Sequence, residues 1–200
     1  MREPFIEFMK QEINPPVVLI ACGLPASYKT ETTEVIARIK GLNVLRTDMI
    51  RLEVLKNEDI FDEKVAADMD KRKLVYDEMF HLADDRTGKG AGIVLDATFV
   101  TQSLRLRAAE VAARHKLPLI IQQTQCPKQV SLRRISERTK ENYESNALTE
   151  QAYTNNVKKF EPVDLKDMKE KFPNLRVIHL LVDTTSDSEE EWHVIDRTVA

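Results

Sequence analysis

Apolar residues in this chain gather in two kinds of stretch that alternate. Short apolar runs, partly β-branched, recur at Val17–Cys22, Asn43–Arg46, Gly92–Ala97, Leu119–Thr124 and Arg176–Val182. Runs of this length and composition predict strands covered on both faces. Between them the apolar positions take a helical period, at Lys29–Lys40, Met49–Leu55, Glu63–Asp85, Leu104–His115 and Lys128–Arg138. More polar helical segments follow at about Thr149–Phe160 and Leu165–Lys171. Strand–helix alternation predicts an α/β fold, a parallel sheet with helices on both faces. Ligands in such folds sit beyond the carboxyl ends of the strands, so the residues just after each strand carry the functional signal.

The two ends of the chain read differently. In "MREPFIEFMKQEIN" the residues Phe5, Phe8, Met9 and Ile13 share one face of a short amphipathic helix. The stretch has acids and no continuous apolar run, so neither a signal peptide nor a membrane span is expected there. The acidic run "DTTSDSEEEW" predicts a last short helix with acids at its dipole-positive end.

Composition narrows the function class. With 42% hydrophobic and 32% charged residues, the chain is globular rather than low-complexity. Two hundred residues suit one domain with a sizeable core, or a core domain with a small helical insertion. A net charge of −3 argues against an extended nucleic-acid surface, though not against a local basic groove. Cys22 and Cys126 have no metal-ligand spacing and are expected to be reduced and buried, as in a cytoplasmic protein.

The first strand runs into Gly23, Leu24, Pro25, Ala26, Ser27, Tyr28, Lys29 and Thr30. A phosphate-binding loop needs a flexible turn, converging backbone N–H groups, a lysine and a helix N-terminus. The Ser/Thr after the lysine then holds magnesium. Gly23, Lys29 and Thr30 have that spacing, which occurs by chance in roughly one chain in ten of this length. The strand before and the helix after supply the context the motif requires. Tyr28 stands where such loops carry a second glycine; a positive φ there would cost on the order of 1 kcal/mol. Its ring is expected to pack on the N-terminal segment or on a base.

Three further stretches follow strand ends. In "RTDMIR", Asp48 and Arg51 lie one helical turn apart, so they could orient an acceptor hydroxyl and clamp a phosphate, or form an N-cap and a surface ion pair. In "GIVLDAT", Asp96 ends an apolar strand and could hold magnesium through water; Thr101 or Ser103 is the better cap for the next helix. In "CPKQVSLRRISERTK", Pro127 opens a helix carrying Arg134 and Arg138 at i, i+4. Those arginines could neutralise a transferring phosphoryl group, or form a solvated basic face.

Taken together, "GLPASYKT", "RTDMIR", "GIVLDATF", "LRRISERTK" and "YTNNVKKFEPVD" resemble the P-loop kinases of the AAA_33 type, from about Val17 to Pro162. These are relatives of polynucleotide 5′-hydroxyl kinases and, more distantly, zeta-toxin kinases. The resemblance implies a P-loop NTPase domain over residues 1–200, with a five-stranded parallel sheet and a helical lid at about 128–162. It implies ATP on the loop from Gly23 to Thr30, and Mg2+ at Thr30 and Asp96. Asp48 would activate the acceptor hydroxyl, Arg51 would bind the acceptor, and Arg134 and Arg138 would act from the lid beside Lys29. The acceptor bears a hydroxyl; polynucleotide ends, nucleosides and small metabolites all qualify. Two other classes are open to the sequence: an ATP-binding switch that transfers no phosphate, and a phosphate-loop relic that is purely structural.

Overall fold

The computed structural model describes residues 1–58, 65, 68–137 and 149–200. In chain order the strands are β1 (Glu3–Pro4), β2 (Val18–Gly23), β3 (Asn43–Arg46), β4 (Ile93–Asp96), β5 (Leu119–Gln125), β6 (Val177–Asp183) and β7 (His193–Val199). The described helices are α1 (Phe5–Glu12), α2 (Lys29–Lys40), α3 (Thr47–Val54), α4 (Met69–Gly88), α5 (Gln102–Arg114), α6 (Lys128–Ser136), α7 (Glu150–Lys159) and α8 (Leu165–Lys171).

The sheet order is β1-β7-β6-β5-β2-β4-β3. Its five consecutive strands from β6 to β3 are parallel, and they are the five that the apolar runs predict. β7 and β1 extend the sheet antiparallel beyond β6. That extension was not expected: where a last helix was, the acidic run makes only a 3-10 turn (Glu189–Glu191), and β7 follows it. β7 buries little besides Val194, so its sequence lacks the dense apolar run that marks the inner strands.

Side chains alternate across the sheet and assign the layers. Val18, Ile20 and Cys22 of β2 face Val75, Met79 and Phe80 of α4 and Ala108 and Ala112 of α5. Leu19, between them, faces the other way, into Phe5, Phe8 and Met9 of α1 and Val35 and Ile36 of α2. The predicted N-terminal helix is thus present, with all four of its expected apolar residues buried. Full burial of one such side chain is worth roughly 1.5–3 kcal/mol. The result is the expected three-layer α/β/α sandwich. The start of the helix read at Glu63–Asp85 lies outside the described residues; the described helix is capped by Asp68, whose carboxylate accepts from the backbone N–H of Asp70 and Lys71. Among the described residues no helix is long and apolar enough to cross a membrane.

Candidate active site

Strand register brings the site together before any side chain is considered. β2 is the central strand that delivers the loop, with Ala21 opposite Asp96 of β4 and Gly23 opposite Thr124 of β5. Arg46 of β3 lies opposite Asp96 on its other side. The loop, Asp96 and the start of α3 therefore meet at the carboxyl edge of the parallel strands.

Gly23 has a φ of 143°, and a Cβ there would come within 2.6 Å of the Thr124 carbonyl oxygen. The position accepts only glycine. Behind the loop, Ser27 Oγ donates to the Leu24 carbonyl at 2.7 Å and lies 2.7 Å from Thr124 Oγ1. Thr184 Oγ1 donates to the Ser27 carbonyl at 3.0 Å. Leu24 and Ala26 pack on Leu132, Ile135 and Tyr153 of α6 and α7. Side chains of the loop are thus spent on packing, and Lys29 Nζ crosses it to donate to the Leu24 carbonyl at 2.7 Å. α2 starts at Lys29, and its dipole makes the loop a favourable place for anions.

Asp96 is buried at the end of β4, and burial pushes its carboxyl up to about 6, against the opposing pull of Thr30, Lys29 and Arg46. Arg46 Nε lies 3.6 Å from its carboxylate. It caps no helix, since Thr101 accepts from Leu104 N and caps α5. Asp48 and Arg51 form an ion pair of 2.7 Å in α3, and the like charge of Asp48 acts on Asp96. Asp48, Arg51, Asp96, Thr30 and Lys29 are thus one electrostatic neighbourhood. Among the described residues no three His, Cys, Asp or Glu side chains converge into a metal cage. A hydroxyl and one carboxylate at a phosphate loop suit magnesium, which keeps most of its waters.

Tyr28 adopts the left-handed conformation that the motif's glycine would, with φ 55° and ψ 38°. Its ring joins the apolar cluster that holds Phe5, Phe8 and Met9 of the N-terminal segment, one of the two neighbours expected. It packs on Trp192 at 5.5 Å between centroids, lies 3.7 Å from the Arg134 guanidinium, and its hydroxyl donates to Asp187 at 2.9 Å. Burial and the bond to Asp187 push the phenol up to about 12, so it stays a neutral donor.

Arg134 is placed otherwise than a lid arginine. It is 5% exposed. Its donors go to the carbonyls of Ala26, Thr184, Thr185 and Ser186 and to the Asp187 carboxylate, at 2.9–3.1 Å. Such a residue bolts the loop to the segment after β6 and has no donor to spare for a ligand. Arg133, next to it on the helix, also reaches Asp187, at 2.6 Å. Arg138 lies outside the described residues. Cys22 is buried as expected, and burial pushes its thiol up to about 12; Cys126 is half-exposed instead, with Ser131 Oγ at 3.2 Å.

Two positions escaped sequence reasoning. Arg46 ends a strand in the sequence pattern, yet with Lys29 it is a cation acting on Asp96. Arg105 is fully buried and donates to the carbonyls of Val100, Glu161 and Pro162, tying the chain after α7 to the loop after β4. Its helix reads as amphipathic with surface arginines, so no local signal marked it.

A model of the AAA_33 family, an AAA domain, matches residues 18–163. No curated protein matches the sequence. Among solved structures, a gluconokinase from Sinorhizobium meliloti 1021 aligns at 15% identity with a TM-score of 0.58, over 86% of this chain and 84% of its own. A sugar kinase from Janibacter sp. HTCC2649 aligns at 12% identity and TM-score 0.58, over 85% and 86%. AvrRxo1-ORF1:-ORF2 with ATP aligns at 17% identity and TM-score 0.60, over 98% of this chain but 61% of that one. At such identities these likenesses establish the fold. A phosphate loop on the central strand, a buried aspartate beside it and a family match over most of the residues lead to one assignment: the chain belongs to the AAA_33 family of AAA domains and has the P-loop kinase fold.

Proposed function

We propose that the chain is an ATP-dependent kinase, a single domain over residues 1–200 with a lid over about 128–162. The observation that carries this reading is the meeting of Lys29 and Thr30, the buried Asp96 and the Asp48–Arg51 pair at one edge of the sheet. Lys29 and the loop backbone bind the ATP phosphates. Thr30 and Asp96 hold magnesium, Asp96 through water. When bound, the ion offsets the negative charge of the phosphates. Asp48 orients the acceptor hydroxyl and takes its proton; Arg51 fixes both Asp48 and the acceptor. Transfer then depends on positioning and charge neutralisation rather than on covalent chemistry by the protein. Because Arg134 is engaged in the fold, the neutralising cations on the described side are Lys29 and Arg51.

A second reading, an ATP-dependent switch without phosphotransfer, is favoured by one feature. Tyr28 ties the phosphate loop to Asp187 and Trp192, so nucleotide on the loop would be felt by the C-terminal strand. Radiolabelled ATP with a panel of hydroxyl acceptors separates the two, because only a kinase yields a labelled acceptor. In Lys29→Ala, ATP affinity or turnover is expected to fall at least tenfold with the melting temperature kept. Unchanged ATP binding and turnover in that variant would end the phosphate-loop assignment.

A further inference from the structure

Arg46 stands between two carboxylates, and one of them belongs to the candidate cation site. β3 and β4 pair so that Arg46 lies opposite Asp96. Two residues earlier on each strand, Val44 and Val94 pack with Val35 and Ile36, so Arg46 and Asp96 share the face of the sheet that α2 covers. On α2, Thr30 and Glu34 are i and i+4 and lie on one side of the helix. The Thr30 side chain acts on the Asp96 carboxyl. The Arg46 guanidinium spans the gap: its Nε lies 3.6 Å from Asp96 Oδ2 and its Nη1 lies 3.5 Å from Glu34 Oε1. Both distances exceed the 2.7 Å of the Arg51–Asp48 pair, so neither of these two carboxylates holds the guanidinium tightly. Their surroundings differ. Asp96 is buried, whereas Glu34 is exposed.

A buried carboxylate without a counter-charge is costly, and Arg46 offsets part of that penalty in the empty site. A guanidinium and a divalent cation on the same carboxylate repel each other, strongly where water is scarce. Glu34 gives Arg46 a second place, one helical turn along α2 from Thr30 and open to solvent. The guanidinium already touches both carboxylates, so a small side-chain rotation moves it from one to the other. We propose that Arg46 is the resident counter-ion of the cation site: it neutralises Asp96 when no divalent ion is bound and passes to Glu34 when one is. This rests on the kinase reading, which places the ion at Thr30 and Asp96. Arg46 is then a positioning residue. The exchange keeps Asp96 compensated both before the ion arrives and after it leaves, so the buried charge is never left alone.

The test reads ion binding rather than turnover. Mn2+, which favours the same oxygen ligands as magnesium, is titrated into the chain with and without the non-hydrolysable nucleotide AMPPNP, following the EPR signal of the free ion. The variants are Arg46→Met, Glu34→Gln, the two combined, and Asp96→Asn. Arg46→Met should bind the ion about tenfold more tightly than wild type, because the competing charge is gone. Glu34→Gln should weaken binding several-fold while Arg46 is present, and should matter little in the Arg46→Met background. That dependence separates an exchange from simple proximity of charges, which would give additive effects. A second measurement follows the Arg46 Nε–H NMR signal. In wild type it should move when Mg2+ and AMPPNP are added, and in metal-free Asp96→Asn it should already lie near the ion-bound position. If wild type takes up no Mn2+ even with AMPPNP, or Asp96→Asn binds it as wild type does, the magnesium assignment of the kinase reading fails and the exchange fails with it. If Asp96→Asn loses the ion but Arg46→Met does not tighten it, or Glu34→Gln acts equally with and without Arg46, the cation site stands and the exchange alone is overturned.

Discussion

Asp96 shows what a single residue's surroundings do to its chemistry. Its carboxyl is raised from 3.8 to about 6, first by burial. The folded chain therefore binds this proton more tightly than the unfolded chain does. Between about pH 4 and 6 the folded state holds more protons, and its stability falls as pH rises through that window. Above about pH 6 the whole penalty of a buried carboxylate is present, up to roughly 3 kcal/mol for a shift of this size. Asparagine carries no such charge. Asp96→Asn is expected to be more stable than wild type by about 1–3 kcal/mol at pH 7.5 and nearly equal to it at pH 4, in metal-free buffer. Urea unfolding at the two pH values measures the difference. An equal effect at both would mean that the carboxyl titrates normally. The penalty makes sense at a cation site, because a bound cation relieves it.

At the scale of elements, α6 is placed less by its own amphipathic pattern than by one buried side chain. Arg134 connects α6 with the phosphate loop through Ala26 and with the segment after β6 through three successive carbonyls. Its charge is matched by Asp187; burial opposes that carboxylate's ionisation, but Arg133, Tyr28 and Arg134 together hold it below the usual range. Removing Arg134 strands the buried carbonyls it serves, while Asp187 keeps Arg133 and Tyr28 as partners. Arg134→Met is expected to lower stability by about 2–4 kcal/mol, as judged by chemical denaturation. A variant that kept its stability and lost only turnover would restore Arg134 to the lid role its motif suggests. The i, i+4 spacing of Arg134 and Arg138 could not tell a lid from a bolt. The distinction lies in the Thr184–Asp187 carbonyls and carboxylate, some fifty residues away in sequence.

For the whole molecule, the chain's two ends and its phosphate loop form one packed corner. Phe5 of α1 meets Trp192 edge-on at 5.9 Å, Trp192 meets Tyr28, and Trp192 Nε1 donates to the Ser186 carbonyl at 2.9 Å. Tyr28 thus offsets its left-handed backbone, roughly 1 kcal/mol, with aromatic contact and a hydrogen bond to a carboxylate. Tyr28→Gly is expected to keep or improve ATP binding, since the loop conformation is one that glycine adopts freely, and to lower the melting temperature. A double-mutant cycle of Tyr28→Gly with Trp192→Phe should show a coupling of about 0.5–1.5 kcal/mol. Calorimetric ATP titration beside melting curves tests both halves. Loss of ATP binding in the glycine variant would make Tyr28 a nucleotide contact.

The sequence by itself determined the inner sheet, the layer order and the loop. Strands covered on both faces must be densely apolar, and a phosphate loop is local, its parts lying within eight consecutive residues. Local chemistry of this kind is written in consecutive letters, so Gly23, Lys29, Thr30 and the strand-end position of Asp96 were legible there. The edge strands were not. β7 and β1 are held by antiparallel pairing at the rim, where few side chains are buried and the apolar pattern fades. Nor were the roles of arginines legible, because the same residue on a helix face is a solvated charge, a bolt or a ligand clamp according to what the tertiary structure sets opposite it. Arg134 met carbonyls, Arg105 met the chain leaving α7, and Arg46 met Asp96. Long-range contact decided each of these, and only the fold supplies it.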